Sequence, residues 1–222
     1  YEVGFRLGGG RSTGYSSERA LNTIAEYAAK FGLDEKSGLE IPENPPQLSD
    51  QDGIRSSIGQ GTNSFSVAQL ARYVSAVANR GTAYNLTLLD KLTDSDGNTI
   101  EDYSASVYNK IDIADSSWNV IQEGMHQVAL NTDAFEKLDL TIAGKTGTAQ
   151  QSVRHPNHAL FVGYAPYENP EICIAIRIAN GYTSANAAEM AADIFQYYFG
   201  LADKEELLTG TASEATTSVI ND

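Results

Sequence analysis

Leu140-Thr-Ile-Ala-Gly-Lys-Thr-Gly-Thr-Ala-Gln150, Ala159-Leu-Phe-Val-Gly-Tyr164 and Ile172-Cys-Ile-Ala-Ile-Arg-Ile-Ala179 are apolar runs that follow one another with no helical pattern between them. In the last, Ile172, Ile174, Ile176 and Ile178 face one way while Cys173, Ala175, Arg177 and Ala179 face the other, the period of two that marks a strand. Ala165-Pro-Tyr-Glu-Asn-Pro170, between the second and third runs, is a turn signal too short for a helical crossover. It predicts an antiparallel hairpin.

Around these strands the apolar residues change period. Leu21, Ile24, Ala25 and Ala28 recur at helical spacing after Ser16 or Ser17 and stop at Gly32; Val67, Leu70, Ala71, Val74, Val77 and Ala78 do so after Ser66 and stop at Gly81. Trp118, Ile121, Met125 and Val128 form a third amphipathic set after Asp115 or Ser116. Ala187, Met190, Ala191, Ile194 and Tyr198 form a fourth, ending at Gly200, with the apolar face of each expected inward. A second hairpin is expected through Leu86–Leu89 and Thr99–Tyr103, turning at Asp94-Ser-Asp-Gly-Asn98. Residues 41–61 read as irregular, and residues 201–222, an acidic Ser/Thr-rich tail, as disordered. The order of elements predicts an α+β fold with an antiparallel sheet flanked by helices, because no alternating β-α-β units are present.

The chain has 222 residues, 41% of them hydrophobic, enough for one sizeable core or two small ones. Its formal net charge of −14 repels phosphate backbones, so a nucleic-acid partner is excluded. The single cysteine, Cys173, cannot close an intrachain disulfide. No run approaches the roughly 18 apolar residues of a membrane span, and the chain opens on Tyr1 without a signal-like segment, which suggests a piece of something longer.

Gly144-Lys-Thr-Gly-Thr-Ala-Gln150 fails as a phosphate loop, because Asp139 stands where that pattern needs its first glycine. As a strand it places Lys145, Gly147 and Ala149 on one face and Thr146 and Thr148 on the other. An edge strand with an ammonium, hydroxyls and free backbone N–H groups suits an extended peptide ending in a carboxylate. Asp94, Asp96 and Asn98 imitate a calcium loop, but Thr99 holds its glycine position and Ala105 the place of its bidentate glutamate, so a hairpin turn is the better account. His155-Pro-Asn-His158 has no cysteine or suitably spaced carboxylate beside it and reads as a polar loop. Neither a metal nor a cofactor is expected.

Ile58-Gly-Gln-Gly61, Ser66-Val-Ala-Gln-Leu-Ala-Arg-Tyr73, Ala78-Asn-Arg-Gly-Thr82, Gly144-Lys-Thr-Gly-Thr-Ala-Gln150 and His158-Ala-Leu-Phe-Val-Gly-Tyr-Ala-Pro166 stand in an order that resembles the C-terminal half of a penicillin-binding protein transpeptidase domain, of the class B, monofunctional kind. Phe31-Gly-Leu33 and Lys36-Ser-Gly-Leu-Glu-Ile-Pro42 add to the match, which runs over residues 1–200. The resemblance implies a serine acyltransferase with a five-stranded antiparallel sheet and three motifs, Ser-x-x-Lys, Ser-x-Asn and Lys-Thr-Gly. Only the third is found in its place; no Ser-x-x-Lys occurs, and Ser117-Trp-Asn119 reads as the start of a helix. The expectation is a fragment of a cell-wall D,D-transpeptidase that begins just after the genuine Ser-x-Asn and is inactive alone.

By the same resemblance Lys145 supplies positive potential and aids proton transfer, Thr146 and Thr148 bind the substrate carboxylate, the Thr148 N–H is half of an oxyanion hole, and Gly147 keeps the strand open. Gln150 continues the substrate-facing edge. The implied partners are a D-Ala-D-Ala stem peptide, β-lactams and an upstream segment that completes the domain. The implied location is the extracytoplasmic face of a bacterial membrane, held by an N-terminal anchor outside this chain. The alternative is a non-catalytic relative that binds a peptide or β-lactam as a sensor.

Overall fold

In the computed structural model, which describes residues 1–150 and 153–208, the chain divides into two units, Tyr1–Asp115 and the part from Ser116 onward. The first unit holds α1 (Glu2–Leu7), α2 (Gly10–Thr13), α3 (Ser17–Lys30), α4 (Gly53–Ser56) and α5 (Val67–Ala78). Two small antiparallel ribbons accompany them: β1 (Thr82–Tyr84) with β4 (Val107–Lys110), and β2 (Lys91–Thr93) with β3 (Thr99–Asp102). The caps explain where the helices begin. The Ser16 hydroxyl accepts from Arg19 N–H, and Ser66 with Gln69 forms a reciprocal capping box at α5.

The first unit is tied together by a buried guanidinium. Arg72, 2% exposed, donates to Gly32 O at 2.5 Å and Ser37 O at 3.2 Å and lies 4.5 Å over the Tyr108 ring. Gly32 is required here twice over: its φ is +69°, and a Cβ would lie 2.4 Å from Arg72. Glu43 accepts from the Ser66 hydroxyl and from Ser37 N–H. Burial pushes its carboxyl up, but these two donors and the nearby Arg72 charge outweigh it and hold the group below its ordinary value.

Two sequence expectations are corrected in this unit. Residues 41–61 are not wholly irregular, since α4 forms where the Asp52 carboxylate caps Arg55 N–H and Gly53 packs against Ala20. The first strand of the second hairpin lies at Lys91–Thr93 rather than at 86–89, because Glu40 captures the Thr87 hydroxyl at 2.6 Å and Leu88 N–H at 2.9 Å. The turn falls where expected. There the Asp94 carboxylate accepts from the N–H groups of Asp96 and Asn98, so the calcium-like residues serve the turn.

The second unit is built on a three-stranded antiparallel sheet, β5 (Ala143–Ala149), β6 (His158–Ala165) and β7 (Ile172–Ile178), in that order. It also holds α6 (Asp115–Leu130), a 3-10 turn (Asp133–Phe135), α7 (Ser184–Tyr198) and α8 (Lys204–Leu207). The mixed α+β architecture and the hairpin follow the sequence reading. Phe161 and Phe195 are fully buried, with Ile174, Ile176 and Phe135 beside them, and each such large side chain contributes about 1.5–3 kcal/mol.

The buried face of α7 keeps the expected Ala187 and Ala191 but differs from the expected one at the other positions. Ala187, Ala188, Ala191, Ala192 and Phe195 face the sheet, whereas Met190, Ile194 and Tyr198 are exposed. Small residues let the helix lie close to the isoleucines of β7, so alanine wins the inward positions. Of the tail expected to be disordered, residues 204–207 form the single turn α8 and residues 209–222 lie outside the described residues.

Candidate active-site strand

Among the described residues β5 pairs only with β6, in the register Lys145↔Val162, Thr146↔Phe161, Gly147↔Leu160 and Thr148↔Ala159. Its other edge carries two diagnostic carbonyls. Ile142 O bonds the His126 ring of α6 at 2.7 Å, and Thr146 O accepts from Lys145 Nζ at 2.6 Å. Both belong to even-numbered residues, and in an antiparallel ladder alternate residues point their backbone groups the same way. Gly144, Thr146 and Thr148 therefore turn N–H and C=O to the open edge, while Lys145, Gly147 and Ala149 bond β6.

The side chains divide as the period predicts. Gly144, Thr146 and Thr148 share the face of Phe161 and Ile176, toward α7, and Lys145, Gly147 and Ala149 share the opposite face with Leu160 and Val162. Gly144 and Gly163, directly opposite each other, leave a slot for the Phe161 ring: a Cβ on Gly144 would lie 2.4 Å from it and one on Gly163 2.7 Å. Gly147 is different. A Cβ there would meet Leu160 at an ordinary 3.4 Å, so packing does not demand glycine at this position.

Thr148 is held by a residue that sequence reasoning missed. Its Oγ1 accepts from Ser184 N–H at 3.2 Å, which leaves its own hydroxyl proton to donate outward. Ser184 is the first residue of α7, after the N-cap Thr183, so the positive end of a 15-residue helix lies beside the strand. Thr146 opens on a cleft of about 310 Å³ lined by Asn131, Asp133, Thr183, Ser184 and Glu189. The helix start was visible as Thr183-Ser184 before an apolar run; its meeting with Thr148 was not.

Gln150 follows the last residue of β5 and is exposed. Ser117-Trp-Asn119 lies in the first turn of α6 with Trp118 buried, as its helical reading predicts. A second Ser-x-Asn string, Ser184-Ala-Asn186, was overlooked in the sequence; the Asn186 amide is spent on Gly181 O. His158 begins β6, and its Nδ1 accepts from Asn180 N–H at 3.0 Å; burial first and the Arg177 charge second push its pKa down. Among the described residues no group of three or more His, Cys, Asp or Glu could hold a metal.

Comparison with known proteins gives the family. The family model for the penicillin binding protein transpeptidase domain matches residues 14–196. Penicillin-binding protein 2B of Streptococcus pneumoniae is 28% identical over 203 residues, 82% of this chain and 30% of that protein. The peptidoglycan D,D-transpeptidase MrdA of Acinetobacter baumannii is 26% identical over 219 residues, 82% of this chain and 32% of its own length. The chain thus spans about a third of the curated relatives it matches. In structure it resembles penicillin-binding protein 2B of S. pneumoniae with a TM-score of 0.72 at 21% identity, covering 90% of this chain and 37% of that one. It resembles PBP2 of Pseudomonas aeruginosa with a TM-score of 0.69 at 26% identity, covering 85% and 46%. With the family model spanning most of its length and the Lys-Thr-Gly strand at the edge of its sheet, this chain belongs to the penicillin-binding protein transpeptidase domain family.

Proposed function

We propose that this chain forms one wall of the active site of a peptidoglycan D,D-transpeptidase, with the serine nucleophile and its activating lysine supplied by a preceding part of the same polypeptide. One observation carries the reading: the open edge of β5 presents the N–H of Thr148 beside a hydroxyl already oriented by Ser184. The absence of Ser-x-x-Lys from the 222 residues motivates the second half of the proposal. So do the apolar side chains left exposed on α7, Met190 at 44% and Tyr197 at 61%, which another part of the protein would cover.

In this reading the serine oxygen attacks the carbonyl of a D-Ala-D-Ala stem peptide, and the terminal D-alanine leaves as the acyl-enzyme forms. The Thr148 N–H donates to the oxyanion that develops, a contribution worth about 2.7–4 kcal/mol for one such donor. Thr146 and Thr148 hydroxyls bind the terminal carboxylate, and the end of α7 adds positive potential. Lys145, its ammonium held at Thr146 O, faces the reacting serine and aids proton transfer. Gly147 leaves the strand face clear for the substrate, and Gln150 extends that edge. An amine of a neighbouring stem then resolves the acyl-enzyme into a cross-link. A β-lactam stops at the acyl stage.

No helix among the described residues is long and apolar enough to cross a membrane. The proposed anchor lies in the preceding segment and holds the domain at the extracytoplasmic face.

The test is intact-protein mass spectrometry after incubation with a penicillin, on this chain alone and on a polypeptide that includes the preceding segment. A penicilloyl adduct only with that segment supports the proposal. An adduct on the isolated chain overturns the placement of the nucleophile, and no adduct in either case favours the binding-only relative.

A further inference from the structure

The first residues of β5 are gripped by a cluster that the proposed chemistry does not use. His126, on α6, bonds Ile142 O through Nδ1 at 2.7 Å and stacks on Tyr167 with ring centroids 4.2 Å apart and planes 2° from parallel. Because a carbonyl can only accept, Nδ1 carries the proton and the ring is fixed in one orientation. Tyr167 in turn is fixed from two sides. Its hydroxyl donates to Glu123, three residues before His126 on the same helix, at 3.2 Å, and its N–H donates to Thr141 O at 3.0 Å. The Thr141 hydroxyl donates to Glu168 at 2.5 Å.

This cluster closes a loop from α6 through the β6–β7 turn to the two residues that precede β5. Ile142 O is the outward-facing carbonyl immediately before the edge that carries Gly144, Thr146 and Thr148. The ladder to β6 and the Ser184 bond to Thr148 hold the middle and the end of this strand, and the His126 bond ties its start to α6. We propose that His126 is a positioning residue for the Lys-Thr-Gly strand, setting through Ile142 O where the Thr146 and Thr148 backbone groups stand. The effect on acylation rests on the functional reading above; the effect on the strand does not.

The electrostatics agree with the geometry. Glu123 is held below its ordinary carboxylate value by the Gln127 amide first and the Tyr167 hydroxyl second, and Glu168 by the Thr141 hydroxyl first, so both remain charged acceptors at neutral pH. Glu136 and Asp139 line the adjoining cleft of about 370 Å³ with His126, which gives the ring an acidic surround on that side also. Nothing else in the sequence marks His126, which stands 16 residues from its partner on a helix otherwise read only for its apolar face.

The experiment compares His126→Phe, which keeps the stacking ring and loses the donor, with His126→Asn, whose side-chain amide places a donor near the position of Nδ1. Hydrogen–deuterium exchange is read on the 222-residue chain over residues 140–150, with residues 172–178 and 184–198 as internal references. His126→Phe is expected to exchange about tenfold faster over 140–150, the scale of one lost hydrogen bond, with the references changed less than about twofold. His126→Asn is expected within about threefold of the parent chain. Equal exchange in the parent and His126→Phe overturns the proposal. So does equal loosening by both variants, or a uniform loosening that includes the references, since those mark an ordinary packing role. In the longer polypeptide the acylation rate by penicillin should fall for His126→Phe and recover for His126→Asn. If no acylation occurs even without substitution, the functional reading fails while the exchange result still decides the positioning role.

Discussion

Gly144→Ala and Gly147→Ala, three positions apart on one strand and on its opposite faces, should separate what the fold needs from what the site needs. At Gly144 a methyl would lie 2.4 and 2.6 Å from two atoms of the Phe161 ring, against the 3.5–4.0 Å of normal carbon contact. The ring is fully buried and packed against Phe135, with centroids 5.3 Å apart, so room to retreat is small. Overpacking of this kind costs about 1–3 kcal/mol, and the loss of unfolded-chain entropy on Gly→Ala returns about 0.4–1 kcal/mol. The net is a destabilisation of about 0–2.6 kcal/mol, and the 2.4 Å approach to a fully buried ring places it in the upper half of that range. At Gly147 the methyl meets Leu160 at 3.4 Å, so the entropy gain stands alone and stability should stay constant or rise by up to about 1 kcal/mol. Urea unfolding followed by the fluorescence of Trp118, the sole tryptophan and 2% exposed, reads both. Activity should rank them in reverse, because only the Gly147 methyl stands on the Lys145 face: in the longer polypeptide Gly147→Ala should slow penicillin acylation more. A Gly144→Ala protein within about 0.5 kcal/mol of the parent, or a Gly147→Ala protein equally destabilised, would refute the slot for Phe161.

Arg72→Met should cost the first unit about 2–4 kcal/mol, because Gly32 O and Ser37 O lose a buried donor together, and far-UV circular dichroism against urea checks it. Glu43 makes that unit sensitive to acid. Its folded pKa is depressed, so its stabilisation is complete above the unfolded carboxylate value of about 4.3 and is lost as pH falls below that through the folded one; Glu43→Gln should flatten the melting temperature across this acid range. Thr148→Val keeps the strand and its backbone N–H but removes the hydroxyl oriented by Ser184, so acylation in the longer polypeptide should drop about 10–100-fold, mainly through weaker binding.

The strands around Lys145 were legible because each carries its own evidence: alternation at Ile172–Ile178, a short turn at 165–170, and a glycine-rich edge segment that fits no other element. Helix starts were legible for the same reason, since Ser16 and Ser66 cap donors only three residues away. What failed was longer in range. The strand expected at 86–89 was displaced by Glu40, 47 residues away from Thr87, and no local propensity encodes that capture. On α7 the expected Ala187 and Ala191 are buried, but Met190, Ile194 and Tyr198 were expected inward where the sheet takes Ala188, Ala192 and Phe195.

The same distinction explains what was read of the site. Lys145, Thr146, Gly147 and Thr148 form one contiguous string, so a resemblance found them and the strand period assigned their faces. Their supports are scattered: Ser184 meets Thr148 across 36 residues and His126 meets Ile142 across 16, through a backbone N–H in one case and a backbone carbonyl in the other. A main-chain group places little demand on residue type, at Ser184 as the supporting residue and at Ile142 as the supported one, so each contact leaves almost no signature on that side in a single sequence. Substitution at His126 and Ser184, rather than at the Lys-Thr-Gly string itself, is therefore where the geometry makes claims that the motif does not. Of the two, His126 is the sharper case, since Ser184 acts through its backbone N–H and only proline there would remove the bond to Thr148.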